Sequence, residues 1–143
     1  MLTPEMLSTL SRTYSEDFLR WCRAPAHCRW LPVFHARGEH RAANGDRIEF
    51  RLRLSDGVIT ELGFGFEGRA VLLAAGEAVC SLGEGLTVTQ ALAACTEEAI
   101  AAELGALPDA DVWSLAQVRE ALRVCLLDAL TVARHPWKGP YVK

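Results

Sequence analysis

The side chains best suited to bind a metal are spread along the chain rather than grouped. Five cysteines stand at positions 22, 28, 80, 95 and 125. Thiolates are soft donors that suit zinc and iron, and zinc sites usually draw on closely spaced Cys and His pairs. Cys28, His35 and His40 come nearest to such a set, but their spacing fits no compact zinc pattern. We interpret these three residues as structural or incidental.

The sequence carries no recognisable signature of an enzyme. No Ser-His-Asp set can be placed, and no paired carboxylates stand at a predicted cleft. Residues 63–68, Gly-Phe-Gly-Phe-Glu-Gly, are rich in glycine. Strand-forming phenylalanines alternate with these glycines, however, and no phosphate-binding lysine follows. We therefore expect a protein that is not an enzyme.

Residues 44–69 predict a β-hairpin. In both strands the apolar residues stand mostly at even positions, which is the period of a strand with one buried face. A three-residue loop, Ser55-Asp56-Gly57, would place Leu54 opposite Val58 and keep both apolar sets on one face. The apolar positions are Ile48, Phe50, Leu52 and Leu54 in the first strand and Val58, Leu62, Phe64 and Phe66 in the second.

This register brings the two ends of the hairpin together. It places Asp46 opposite Phe66 and Asn44 opposite Gly68, so that Asp46 should meet Arg69. A guanidinium and a carboxylate form a planar and often bidentate pair. We predict that Arg69 pairs with Asp46; the alternative is that Arg69 points into water from a loop.

The hairpin resembles that of the NifU/IscU-type iron–sulfur cluster scaffold family. In that family a Cys-Gly-Asp enters the strand, a Gly-Cys follows the next strand, and a third cysteine follows a Leu-Pro-Pro stretch. The corresponding residues here are Asn44-Gly45-Asp46, Gly68-Arg69, and Ser114 after Leu107-Pro108. The resemblance covers roughly residues 20–133. It implies the family's fold, but the motif thiols have been replaced.

The resemblance makes Asn44, Asp46, Arg69 and Ser114 the family ligand positions, with Asp46 as the one retained ligand. A neutral amide and a hydroxyl do not support a cluster, and Arg69 would occupy the metal position itself, bonded to Asn44 or Ser114. A second alignment places the third ligand at Cys125. We prefer Ser114, because Cys125 then lies in mid-helix on an apolar stripe.

The expected function follows from these replacements. We expect a family member that has lost cluster binding and acts as an interaction or regulatory module, with no cofactor. The alternative is a working iron or sulfur carrier that uses other cysteines and holds an iron–sulfur cluster, iron or zinc. The resemblance implies a protein partner, such as a cysteine desulfurase or another cluster-assembly protein. Asp109 and Asp111 replace a proline and a lysine of the stretch that a dedicated chaperone binds in the family.

The remaining pattern predicts one α+β domain over 1–143, in which helices cover one face of a small antiparallel sheet of about three strands. The helices and the sheet should bury Cys80 and Cys125 in the core. We expect an N-terminal helix over 1–23, a strand or extended arm at 29–35, a buried helix over 70–82, and short helices after Thr87 and Thr96. A long helix should start at the Ser114-x-x-Gln117 capping box and stop at His135-Pro136. The C-terminal tail over 134–143 contains Trp137 and Tyr141, which either dock or stay disordered.

Composition limits the partners. The 143 residues carry a formal net charge of −3, and half of them are apolar, so nucleic acid binding is not expected. No apolar run reaches the roughly 18 residues of a membrane span. An odd number of cysteines and no secretory signal favour a reduced, cytoplasmic protein. The sequence leaves the oligomeric state open.

Overall fold

The computed structural model describes residues 2–134 and 141–142, and it confirms the α+β class. A three-stranded antiparallel sheet has the strand order β2-β3-β4, and β1 pairs separately with β5. The elements are α1 (Pro4–Leu10), α2 (Glu16–Arg23), β1 (Val33–Phe34), β2 (Ala36–Arg41), β3 (Arg47–Ser55), β4 (Val58–Glu67), α3 (Ala70–Gly83), α4 (Val88–Ala94), α5 (Glu97–Leu104), α6 (Asp109–Arg134) and β5 (Tyr141–Val142).

The hairpin turn differs from the predicted one. Asp56 and Gly57 have φ angles of 51° and 77°, so both adopt the left-handed conformation of a two-residue turn. Ser55 pairs with Val58 across this turn. The predicted three-residue loop, with position 54 opposite position 58, is therefore wrong.

The two-residue turn pairs even-numbered with odd-numbered residues, and a β-bulge restores the pairing of even with even. The pairing slips by one residue beside Arg53, and beyond it even positions face even positions, with Ile48 opposite Phe66. Asp46 is therefore not opposite Phe66 as predicted. The same register, extended by two residues, brings Asp46 opposite Gly68. The apolar faces of the two strands stay together because of the bulge rather than the loop.

Helices α3 and α6 cover the apolar face of the sheet at very short range. A Cβ atom at Gly76 of α3 would lie 2.5 Å from the Phe64 ring, and one at Gly38 of β2 would lie 2.2 Å from the backbone nitrogen of Cys125. Helix α3 is buried on nearly every side, as its apolar sequence predicts. The largest fully buried side chains include Phe18, Phe50, Phe64, Leu72, Ile100, Leu104, Leu122 and Leu126.

The opposite face of the sheet is also covered, by the chain that leads into β1. Arg51 is buried there, and its guanidinium carbon lies 3.5 Å from the ring centroid of Trp30. Gly63 and Gly65 leave the room for this segment, since a Cβ at Gly65 would lie 3.0 Å from the Trp30 ring. The Gly-Phe-Gly-Phe run of β4 thus places phenylalanines towards the helices and glycines towards the covering segment.

A buried glutamate anchors the covering segment. Glu77 of α3 accepts hydrogen bonds from the backbone N–H groups of Ala26 and His27. Its carboxylate also lies 3.1 Å from the His27 ring, whose other nitrogen lies 3.2 Å from Glu84. The His27 carbonyl accepts from the Phe64 N–H, so this residue also satisfies the outer edge of β4.

Two predicted elements near the N-terminus are corrected. The predicted helix over 1–23 is two helices, because Ser15 caps α2 by accepting from the Phe18 N–H. Of the strand or extended arm predicted at 29–35, only Val33–Phe34 is a strand, and the sheet strand β2 lies at Ala36–Arg41. Residues 29–31 cross the face of the sheet instead of pairing within it.

Helix α6 begins five residues earlier than predicted. It starts at Asp109, and the Asp111 N–H donates to the Pro108 carbonyl in its first turn. Ser114 is therefore a buried residue inside the helix, and the predicted capping box is wrong. As a consequence Asp111 and Ser114, three residues apart, lie on the same face.

Several local predictions are confirmed. Thr87 forms the predicted capping box with Gln90, and Thr96 caps α5. At the C-terminus Tyr141–Val142 pairs with β1, while His135, Pro136 and Trp137 lie outside the described residues. Within residues 2–134 and 141–142, no helix combines the length and apolar character needed to cross a lipid bilayer.

The contact between β2 and α6 gives a test of the packing. We expect Gly38→Ala to destabilise the protein by about 1–3 kcal/mol or more, because the new methyl group meets helix backbone rather than a movable side chain. Gly83→Ala is the matched control, since its Cβ would meet the end of the Leu62 side chain at 3.2 Å. Urea unfolding measures both; equal stability of the two variants would contradict the close packing.

Candidate functional site

Three segments meet at the open end of the hairpin. Asn44-Gly45-Asp46 precedes β3, Gly68-Arg69 joins β4 to α3, and the first turns of α6 approach from the side. Arg69 holds the N-cap position of α3 with extended backbone angles, φ −73° and ψ 158°. Its side chain is thereby free to turn towards the other two segments rather than cap its own helix.

The Arg69 guanidinium bonds through all three of its nitrogens. Nε donates to Asp46 Oδ2 at 3.1 Å, Nη1 donates to Asp111 Oδ1 at 3.0 Å, and Nη2 donates to Ser114 Oγ at 2.5 Å. Nη1 also lies 3.4 Å from the Ala110 carbonyl. The ion pair between Arg69 and Asp46 is the predicted one, and the alternative of a free Arg69 in water is wrong.

Local backbone geometry holds the Asp46 carboxylate in place. The Asp46 N–H donates to Asn44 Oδ1 at 2.9 Å, and Asn44 Nδ2 donates back to Asp46 Oδ2 at 3.3 Å. A Cβ at position 68 would lie 2.3 Å from Asp46 Oδ1, and Gly68 has a φ of 140°. Glycine is therefore needed at position 68 both for its conformation and for the space that the carboxylate takes.

Asp111 ties the site to the N-terminal helices. Its second carboxylate oxygen accepts a close hydrogen bond from the Tyr14 hydroxyl. The Tyr14 ring stacks on Phe18 with 3.8 Å between centroids. Burial, together with the neighbouring Asp111, raises the pKa of Tyr14 well above its usual value, so the phenol stays protonated and remains a donor.

Sequence reasoning missed two members of this site. The predicted helix start at Ser114 leaves Asp111 outside the helix, whereas the observed start at Asp109 puts both residues, three apart, on one helical face. Tyr14 stands 97 residues from Asp111, and no local pattern in the sequence marks that contact. Asn44, Asp46, Arg69 and Ser114 do lie together; that these four correspond to the family ligand positions remains a prediction.

The remaining candidates lie elsewhere. Cys125 is fully buried in mid-helix, about 16 Å along α6 from Ser114, and burial raises the pKa of its thiol well above the usual value. Cys80 is equally buried. His35 Nδ1 accepts from the Leu54 N–H. In the described part of the chain, no three Cys, His, Asp or Glu side chains are grouped to hold a metal ion.

The donor set at the hairpin end does not fit an iron–sulfur cluster or a zinc ion. Two buried carboxylates and a hydroxyl surround a guanidinium that already supplies a positive charge, and the Asn44 amide bonds to one of the carboxylates. Clusters need thiolates, and a cation placed here would meet the fixed charge of Arg69. The arrangement is a closed ion-pair network with Arg69 at its centre.

The fold matches that of solved NifU-like domains. The model of the NifU-like N-terminal domain family matches residues 13–129. The chain therefore belongs to this family, whose members are iron–sulfur cluster assembly scaffolds. A comparison with curated proteins finds no match.

Solved structures of similar fold agree with this family. One is a NifU-like protein (N-terminal) from Brucella abortus, with a TM-score of 0.53, 17% identity, and coverage of 86% of this chain and 87% of that one. Another, from Fervidobacterium islandicum AW-1, is described as an iron–sulfur cluster assembly scaffold for the SUF system; its TM-score is 0.55 at 14% identity, covering 91% of this chain and 92% of that one. At these identities the likeness concerns the fold alone.

The burial of the cysteines predicts a simple labelling pattern. Cys28 is exposed, and the other four thiols are buried; burial raises the pKa of Cys22 and of Cys95 to about 11. We expect a thiol reagent to label Cys28 rapidly in the native protein and the others only after unfolding. Fast native labelling of Cys125 would contradict its placement in the core and revive the second alignment.

The site itself predicts a stability effect. Arg69→Ala leaves two buried carboxylates without their cation, so we expect a loss of about 1–3 kcal/mol, allowing for the 38% exposure of the Arg69 side chain. Arg69→Lys should restore part of the loss. The exposed pair of Arg41 with Glu39 provides the control Arg41→Ala, which should change little. Urea unfolding curves measure the effect, and an unchanged midpoint for Arg69→Ala would exclude a structural role for the network.

Proposed function

We propose that this chain is a NifU-like family protein that does not hold a cluster at the family site and acts, without catalysis, as an interaction or regulatory module in iron–sulfur cluster assembly. One observation carries the proposal: the Arg69 guanidinium fills the space between Asp46, Asp111 and Ser114. A family member that assembled clusters here would need that space for metal and thiolates.

The charges support the proposal. In a metal-binding relative, a cation at this corner would balance the Asp46 carboxylate. Here the single positive charge of Arg69 is paired with both Asp46 and Asp111 and offsets part of their negative charge. A metal ion would have to displace a guanidinium held by four hydrogen bonds, and it would gain only oxygen ligands in return. Soft metals do not favour such an exchange.

A module of this kind acts through its surface. A protein that keeps the scaffold fold has the surface shape that cysteine desulfurases and other cluster-assembly proteins bind. It has no thiol at the corner where a scaffold would receive sulfur or a cluster. It would bind such a partner at the scaffold's binding site without accepting sulfur or a cluster from it. The proposed role is therefore to compete with, or to modulate, a working scaffold.

The carrier alternative has less support. Iron and cluster sites are held by several thiolates, whereas among the five cysteines four are buried and Cys28 alone is exposed. Metal and acid-labile sulfide analysis of protein purified without oxygen separates the two functions. The proposal expects neither; iron and sulfide in stoichiometric amounts would establish the carrier instead.

A designed variant tests the site directly. The triple variant Asn44→Cys, Arg69→Cys, Ser114→Cys removes the guanidinium and restores three thiols next to Asp46. We expect it to bind about one zinc ion per chain, with Zn–S bonds, while the parent binds none there. Zinc titration with a competing chelator measures the affinity, and circular dichroism checks the fold of each variant.

Two controls test whether Asp46 is a zinc ligand. Adding Asp46→Ala to the triple variant should weaken zinc binding by at least about tenfold if the carboxylate is a ligand. A triple variant that folds but binds no zinc would show that these positions do not converge as proposed. Stoichiometric zinc in the parent, lost in its own Asp46→Ala variant, would overturn the proposal.

A further inference from the structure

Helix α6 exposes a row of large apolar side chains on the side that faces away from the core. Trp113 is 76% exposed, Leu127 is 42% exposed and Val124 is 37% exposed. At 100° per residue these three positions fall within about 60° of one another around the helix. Single exposed apolar residues are ordinary, but an aligned row on one helix marks an interaction surface.

The row belongs to a regular pattern, which we call the outer stripe: Trp113, Gln117, Glu120, Val124, Leu127 and Thr131. Successive members are alternately four and three residues apart, which is the spacing of a helix–helix seam. The opposite face of the same helix is already buried against the sheet and α3, through Leu115, Val118, Leu122, Cys125, Leu126 and Ala129. Helix α6 therefore carries two seams, and within residues 2–134 and 141–142 only one of them is filled.

The outer stripe is complementary to itself when it is reversed. Its middle is polar, with Gln117 and Glu120, while a tryptophan lies towards one end and Val124 and Leu127 lie towards the other. Trp113 lies as far before the midpoint between Gln117 and Glu120 as Val124 lies after it. A stripe with this order matches a copy of itself running in the opposite direction, which is the requirement of a two-fold interface.

We propose that a second copy of this chain docks on the outer stripe, α6 against α6 and antiparallel, about a two-fold axis between Gln117 and Glu120. Trp113 of each copy then packs on Val124 and Leu127 of the other. At the axis, the Gln117 amide of one copy lies next to the Glu120 carboxylate of the other and can donate to it. A parallel pairing would instead bring the two Glu120 carboxylates together, which repel.

Charge and length agree with this occupant. The helix dipoles oppose each other favourably in an antiparallel pair, and the Glu120–Arg123 ion pairs at 2.7 Å flank the axis from both sides. The stripe spans 19 residues, or about 27 Å of helix. One helix per copy buries less than the total of about 1,600 Å² in a standard interface, so the dimer is weak, with a Kd in the micromolar range or above.

The inference is independent of the proposed function. Trp113 stands between Asp111 and Ser114 in the sequence, but its side chain is exposed whereas theirs are buried. A dimer would therefore form on the outside of the Arg69 site without drawing on its bonds. Loss of dimerisation would leave the proposal about Arg69 intact, and metal binding by the parent would leave the dimer intact.

Sedimentation velocity over about three decades of concentration around the micromolar range tests the proposal. We expect a concentration-dependent shift from monomer to dimer in the parent. Leu127→Glu should weaken association by at least about tenfold, because it buries a carboxylate against Trp113. Met6→Glu is the matched control, since Met6 is also an exposed apolar residue but lies on α1; it should associate like the parent.

Cross-linking tests the antiparallel orientation. In a Cys28→Ser background, Glu120→Cys lies close to the proposed axis, so two copies should be joined by a short bis-maleimide. Thr131→Cys lies about 19 Å from the axis along each helix, which separates the two thiols by about 38 Å and prevents the link. Equal cross-linking at both positions would overturn the antiparallel arrangement.

Three outcomes would overturn the dimer itself: a parent that stays monomeric throughout, a dimer that Leu127→Glu leaves unchanged, and a dimer that Met6→Glu disrupts equally. A stripe that stays bare in the pure protein and is covered only on adding another cluster-assembly protein would assign it to that partner instead. Circular dichroism of each variant shows whether its fold is retained, which is expected because the substituted side chains are exposed.

Discussion

The corner of the molecule at the hairpin end depends on one ion-pair network, in which Arg69 bonds to two buried carboxylates. Asp46 and Asp111 come from different segments, and both are buried. Two carboxylates that are buried close to each other lose hydration and repel each other, and a cation between them offsets both costs. Arg69 is that cation, and its bonds fix the loop before β3, the start of α3 and the start of α6 relative to one another. Tyr14 extends the same network to the N-terminal helices.

The second constraint is steric. Gly38 and Gly76 bring α6 and α3 into direct contact with the sheet, and Gly63 and Gly65 do the same for the segment on the other face. Gly38 and Gly63 set backbone directly against backbone, so that no side chain can adjust the spacing between layers at these two points. The start of α6 is therefore held at the correct distance for Asp111 and Ser114 to reach Arg69.

Sequence patterns predicted the elements whose signals are local. The apolar run of α3, the caps at Thr87 and Thr96, and the existence of the hairpin are of this kind. The pairing of Arg69 with Asp46 was also within reach, because any register that kept the apolar faces together brought the hairpin ends close. Sequence patterns did not predict features for which two local signals compete, or for which a tertiary contact determines the strand register or the start of a helix. The bulge at Arg53 and the start of α6 at Asp109, ahead of an apparent cap at Ser114, are examples.

A cation that is part of the chain changes how this corner responds to its surroundings. When a protein is held together by a bound ion, its stability rises and falls with the free concentration of that ion, and a chelator unfolds it. The guanidinium of Arg69 is present once per chain under every condition, and neither scarcity of iron nor an oxidant removes it. The bonds that hold the three segments of this corner together therefore do not depend on the supply of any metal.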